Sequence, residues 1–262
     1  MTESNHNNEF PLKGGRGSVI IYNTPSWLTA FSTGKACGVE ALGLRLEDLA
    51  LPRQVHSDNV LWMQEAGRPE ATDAVITDRP GLCVCVKTAD CIPVLLYDTR
   101  QRIVAAVHAG WRGTVSRIVQ KTIKQMQPLN PTDLHAIIGP GISLEQFEVG
   151  DEVYEAFKEA GFPMERIAPS KPPRGNQVST TEGKVKAFYS SPLGETEGGR
   201  HHIDLWEANR WLLEEQGVCD IYIKGTCTRT SEDFYSARRE TINTGRNYNG
   251  IFIKGSGSPN PL

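Results

Sequence analysis

Four short apolar runs, Ala74 to Thr77, Leu82 to Val86, Pro93 to Tyr97 and Ile103 to His108, constrain this chain more than any other feature. Each is rich in β-branched residues and bounded by turn formers, the pattern of buried strands. Their close spacing predicts neighbouring strands of one sheet. Further strands are expected at Ser18 to Tyr22, Trp27 to Thr33, Leu134 to Ile138, Ile221 to Lys224 and Asn249 to Lys254, with extended chain from Val55 to Met63.

Between the strands, Leu42 to Leu49 is weakly helical. Val115, Ile118, Val119, Thr122, Ile123 and Met126 recur at helical intervals, which predicts one amphipathic helix from Arg112 to Met126 with its N-terminus beside His108. Ser143 with Gln146 fits a capping box ahead of a helix reaching Ala160, and Asp204 with Glu207 repeats the pattern before a helix ended by Gly217. Residues 168–200 are rich in Pro, Gly, Ser, Thr and Lys without sustained periodicity, so they read as a long excursion from one core. The expected organisation is a flexible leader over 1–17, a single domain over 18–254 and a flexible tail over 255–262.

With 23% charged residues, 39% hydrophobic residues and a net charge of -3, the chain matches neither a disordered segment nor a general nucleic-acid binder. It has no apolar run of about 18 residues, and its polar, Asn-rich start is unlike a signal peptide, so a cytoplasmic protein without membrane partners is expected. Six cysteines in such a chain read as reduced thiols, and Cys83 and Cys85, alternating with Val84 and Val86, read as small apolar residues on one strand face.

The apolar runs end in reactive side chains. Thr88-Ala89-Asp90-Cys91 and Val107-His108 deliver a thiol and an imidazole, and Arg53-Gln54-Val55-His56 adds a second imidazole. Two histidines and a cysteine meet the three-ligand count of a catalytic zinc site whose fourth position stays open. The same atoms support a cysteine hydrolase, with Cys91 as nucleophile, His108 as base and Asp90 or another polar group orienting the imidazole. Both readings need a depressed thiol pKa, and His56 adds weight to the metal; packing at strand ends and a structural zinc in a non-enzymatic partner-binding protein are the plain alternatives. Arg112 at the predicted helix start is suited to an anion or to the surface. Arg238, Arg239 and Arg246 divide the same way between phosphate and structure. Trp206, Trp211, Cys219 and Cys227 read as structural.

Longer stretches carry a resemblance. Gln54-Val55-His56, Asp73-Ala74-Val75-Ile76-Thr77, Thr88-Ala89-Asp90-Cys91-Ile92-Pro93, Val107-His108-Ala109-Gly110-Trp111-Arg112-Gly113, Ile138-Gly139-Pro140-Gly141, Phe234-Tyr235-Ser236 and Thr244-Gly245-Arg246 resemble, in order, the YfiH-like laccase-domain family. The resemblance implies an α+β fold, a layered sandwich of two central mixed sheets flanked by helices and related to putative cysteine hydrolases. It implies zinc at His56, Cys91 and His108. It also implies phosphorolysis of adenosine, inosine and methylthioadenosine, with adenosine deamination, so that purine nucleosides and phosphate are the expected partners. The family's older label is multicopper polyphenol oxidase, but one three-ligand set falls short of the several histidine clusters such chemistry uses. Many members carry Ser-Thr-Arg where this chain has Ser32-Thr33-Gly34, which leaves Lys35 and Arg112 as the expected phosphate-binding cations.

Overall fold

The computed structural model describes residues 7–11, 18–169 and 200–255. In chain order its strands are β1 (Asn7–Pro11), β2 (Ser18–Tyr22), β3 (Leu28–Thr33), β4 (Leu49–Ala50), β5 (Val60–Trp62), β6 (Ala74–Thr77), β7 (Cys83–Thr88), β8 (Ile92–Asp98), β9 (Ile103–Ala109), β10 (Leu134–Ile138), β11 (Glu148–Val149), β12 (His201–His202), β13 (Asp220–Ile223) and β14 (Asn247–Ile253). The helices are α1 (Trp111–Val115), α2 (Ile118–Met126), α3 (Asp151–Glu159), α4 (Met164–Ile167) and α5 (Leu205–Glu214).

Two six-stranded mixed sheets result, ordered β1-β2-β3-β14-β7-β4 and β13-β10-β8-β9-β6-β5, with β11 and β12 as a separate ribbon. The fold is therefore α+β with two central mixed sheets, as the resemblance implied. The four apolar runs do not share one sheet: β6, β8 and β9 lie together, whereas β7 belongs to the other sheet, between β14 and β4. Alternation explains how. Val84 and Val86 enter the core shared by the two sheets, with Ile20, Ala30, Ile251, Val75, Leu95 and Val104. Cys83 and Cys85 face the opposite side, against Phe31, Val39, Leu49 and Phe252. A strand apolar on both faces is stable in any buried sheet, and its partner β14 is far away in sequence.

The helices cover the outer face of the β8–β9 sheet, where Ile118, Ile123, Phe157, Leu212 and Leu213 pack on Val94, Leu96 and Val107. The single helix expected over 112–126 is broken. Arg117 adopts a left-handed φ of 62° between α1 and α2, its guanidinium donates to Ala160 O at 2.9 Å and it lies over the Trp211 ring. Tertiary contacts thus override helical periodicity. Ser143 opens only a short 3₁₀ turn without a side-chain cap, because Glu148 and Val149 leave to pair with His202 and His201. The helix expected over 42–49 is also absent: Leu42 closes a 3₁₀ turn from Val39, Leu46–Asp48 form another, and Leu49 already belongs to β4. The cap at Asp204 is present, its carboxylate accepting from Glu207 N at 2.9 Å.

Asn7–Pro11, inside the expected leader, pairs antiparallel with β2. Most of the expected excursion, residues 170–199, and the tail from 256 lie outside the described residues. No helix among the described residues is long and apolar enough to cross a membrane. None of the six cysteines is in a disulfide.

Candidate metal centre

Asp73, fully buried at the start of β6, organises this end of the molecule. Its Oδ1 accepts from His56 N at 3.0 Å and from His108 Nδ1 at 2.8 Å. Its Oδ2 accepts from Val55 N at 3.2 Å, Ser57 N at 2.8 Å and Ser57 Oγ at 2.6 Å. One carboxylate therefore wraps the 55–57 loop around itself and turns His56, at a left-handed φ of 63°, towards His108. Burial opposes its charge, but the bonds from His108 and Ser57 win and hold its pKa at about 2. An ionised acceptor fixes the proton of His108 on Nδ1 and frees Nε2, the arrangement that second-shell carboxylates impose on metal-binding histidines.

Cys91 comes from the turn between β7 and β8. Asp90 before it has a φ of 90° and is clamped by three donors: Thr228 Oγ1 to Oδ1 at 2.7 Å, Arg238 N to Oδ2 at 2.7 Å and Ile142 N to its carbonyl at 2.9 Å. The thiol is thereby aimed at the histidines. The ligand atoms of His56, Cys91 and His108 all lie within 4.8 Å of one another, and Cys91 Sγ is 3.7 Å from His56 Nε2. A Cβ on Gly110 would stand 3.0 Å from both Cys91 Sγ and His56 Cδ2, so only glycine leaves the trio its room.

Electrostatics agree with a metal seat. Burial pushes the Cys91 thiol up, but His108 and His56 outweigh it and bring it down to about 6. Burial opposes charge on His108 too, yet Cys91 and Asp73 raise it to about 9. Zinc bonded at about 2.3 Å to sulfur and 2.1 Å to nitrogen holds tetrahedral S and N roughly 3.6 Å apart, close to the spacing of Cys91 and His56. The donor set fits. Among the described residues this is the one group of three or more His, Cys, Asp or Glu side chains able to hold a metal.

The structure thus brings His56, Cys91 and His108 together, while Asp90, expected to orient the imidazole, instead shapes the Cys91 turn. Asp73 takes the orienting role. In the sequence it is a lone carboxylate directly before the wholly apolar Ala74-Val75-Ile76, within a segment of the family resemblance but with no role attached to it. Of the two cations expected at phosphate, Lys35 pairs with Glu240 and lies over Tyr235, and Arg112 covers the Trp111 ring. Arg239 is structural, donating to the carbonyls of Thr228, Arg229 and Ser231 at 2.7 to 2.9 Å.

The family model described as multi-copper polyphenol oxidoreductase laccase matches residues 35–254. A purine nucleoside phosphorylase of Bacteroides thetaiotaomicron is 42% identical over 223 residues, 79% of this chain and 74% of that protein. An adenosine deaminase from an unknown prokaryotic organism is 38% identical over 228 residues, 81% of this chain and 78% of its own length. The crystal structure of YfiH from Bacillus licheniformis superposes with a TM-score of 0.76 at 23% identity, covering 92% of this chain and 98% of that one, and shares the fold. With the family model spanning most of the sequence and relatives this similar along it, the chain belongs to the multi-copper polyphenol oxidoreductase laccase family, the YfiH-like laccase-domain proteins.

Proposed function

We propose that this protein is a zinc-dependent purine nucleoside phosphorylase that also deaminates adenosine, with His56, Cys91 and His108 as the metal ligands. The observation that carries the reading is the convergence of those three ligand atoms on a histidine backed by Asp73, in a chain similar to enzymes named for both activities. Zinc is preferred to copper because the donors are one thiolate and two imidazoles in a single mononuclear set. When bound, zinc supplies Lewis acidity on the open side of the trio. The chain's own part is positional: Asp73 keeps the His108 proton on Nδ1, the Asp90 clamp holds the thiolate, and Gly110 keeps the face clear. Cysteines outside any disulfide, exposed Cys219 among them, suit the reducing cytoplasm in which we place the protein.

The test is turnover of the purified protein. Inosine with phosphate is expected to give hypoxanthine and ribose 1-phosphate, and adenosine without phosphate is expected to give inosine. Chelation should abolish both, zinc should restore both without copper, and Cys91→Ala should lose metal and turnover together. A second reading draws on one observation, the Cys91, His108 and Asp73 sequence of thiol, imidazole and carboxylate, which is also the order of a cysteine hydrolase. Amide hydrolysis that survives chelation, without nucleoside turnover, is its result.

A further inference from the structure

We propose that Arg68, Lys87 and Arg246 form the subsite for the orthophosphate co-substrate, an inference that rests on the phosphorylase reading above. Three chain segments meet beside the His56 loop, each bringing a cation. Lys87 stands near the end of β7, four positions before Cys91 and opposite Tyr248 in β14, so Arg246 follows just beyond that pair. Gln54 grips the Lys87 backbone from both sides, its Nε2 donating to Lys87 O at 2.7 Å and its Oε1 accepting from Lys87 N at 2.8 Å. This ties the lysine to the loop that carries His56. Arg53 N donates to Pro69 O at 2.9 Å and sets Arg68 alongside the same loop.

The charge in this cluster is largely uncompensated. Glu70 neutralises Arg53, at 3.1 Å, but Arg68, Lys87 and Arg246 have no ion-pair partner among the described residues. Arg246 spends three N–H groups on the carbonyls of Ile242, Thr244 and Gly245, which orient its guanidinium without cancelling its charge and leave two of an arginine's five donors. Gly245 lets that turn press on Tyr235, whose ring a Cβ at this position would overlap. Burial and the charges of Arg68, Arg246 and Arg53 together hold the half-buried Lys87 ammonium below the ordinary lysine range. Like charges gathered in a chain of net charge -3 are unfavourable alone and favourable around a dianion. A lysine with two guanidinium forks is the donor set that recognises phosphoryl oxygens.

The experiment measures orthophosphate binding by ³¹P NMR and calorimetry, on zinc-loaded protein without nucleoside, for the wild type, Lys87→Met and Arg68→Ser. The same proteins are then assayed for the separate KM values of phosphate and inosine. Losing one charge-assisted contact is expected to weaken orthophosphate about ten-fold or more and to raise its KM alike, with the KM of inosine moving far less and Arg68→Lys recovering part of the loss. Zinc content and melting temperature report on the fold, and exposed Arg68 provides a variant that does not depend on Lys87 tolerating change. Unchanged orthophosphate affinity in both variants overturns the subsite even if phosphorolysis is seen. Orthophosphate binding that the variants weaken, with no nucleoside turnover by the wild type, instead overturns the phosphorylase reading and leaves the anion site standing.

Discussion

Asp73 and His108 are bound to each other twice, by the Asp73 carboxylate on His108 Nδ1 at 2.8 Å and by the Asp73 carbonyl on His108 N at 2.8 Å. The side-chain bond selects which imidazole nitrogen faces a metal; the backbone bond fixes the strand that carries the ring. The same carboxylate oxygen takes the N–H of His56, so both histidines depend on one acid.

Asp73→Asn should therefore weaken the metal site without removing a ligand. Wherever its amide NH₂ points, it faces an N–H or O–H donor, leaving donors unpaired at about 1–3 kcal/mol each. Zinc affinity should fall by about ten- to a hundred-fold. Competition against a chromogenic chelator measures it, and an unchanged affinity would remove Asp73 from the orienting role.

Gly110→Ala tests the room in front of the trio. Its methyl would sit 3.0 Å from Cys91 Sγ and His56 Cδ2, closer than relaxed contacts allow, so one of those side chains must shift. Lower zinc content with a near-normal far-ultraviolet circular dichroism spectrum is the expected result; full occupancy and full turnover would show that the site tolerates the methyl group.

Zinc uptake should release protons in a pH-dependent number, because zinc takes a thiolate and neutral imidazoles. In metal-free protein Cys91 is brought down to about 6 and His108 raised to about 9. Between those values the thiol is ionised and the imidazole protonated, so uptake releases about one proton from this pair. Below the lower value both carry protons, about two are released, and affinity falls more steeply as pH drops. Above the upper value release from the pair vanishes. Calorimetry in buffers of different ionisation enthalpy counts the protons, and a count independent of pH would contradict the coupling.

Asp204→Ala removes the side-chain cap of α5 and should cost about 1 kcal/mol of stability. A matching fall in the denaturant midpoint, with zinc content retained, is expected; no change would mean that the helix start is held by packing alone.

Local chemistry was legible along the chain wherever it needed no distant partner. The runs that became β6 to β9, the alternation of Cys83 and Cys85 with Val84 and Val86, and the Asp204 cap all follow from period and propensity within a few residues. The ligand types at His56, Cys91 and His108 were likewise visible, since each ends or adjoins an apolar run. Tertiary structure alone decided which sheet received β7, because both of its faces are apolar and β14, which joins it, pairs Asn247 with Thr88 and Ile251 with Val84 across a long stretch of chain. It also decided that the Arg112 to Met126 periodicity would break at Arg117, whose guanidinium found Ala160 and Trp211. Tertiary structure gave Asp73 the role expected of Asp90 and tied Lys35 to Glu240. Each of these outcomes turns on which buried or charged groups meet across a long sequence separation, a question that the pattern of neighbouring residues does not contain.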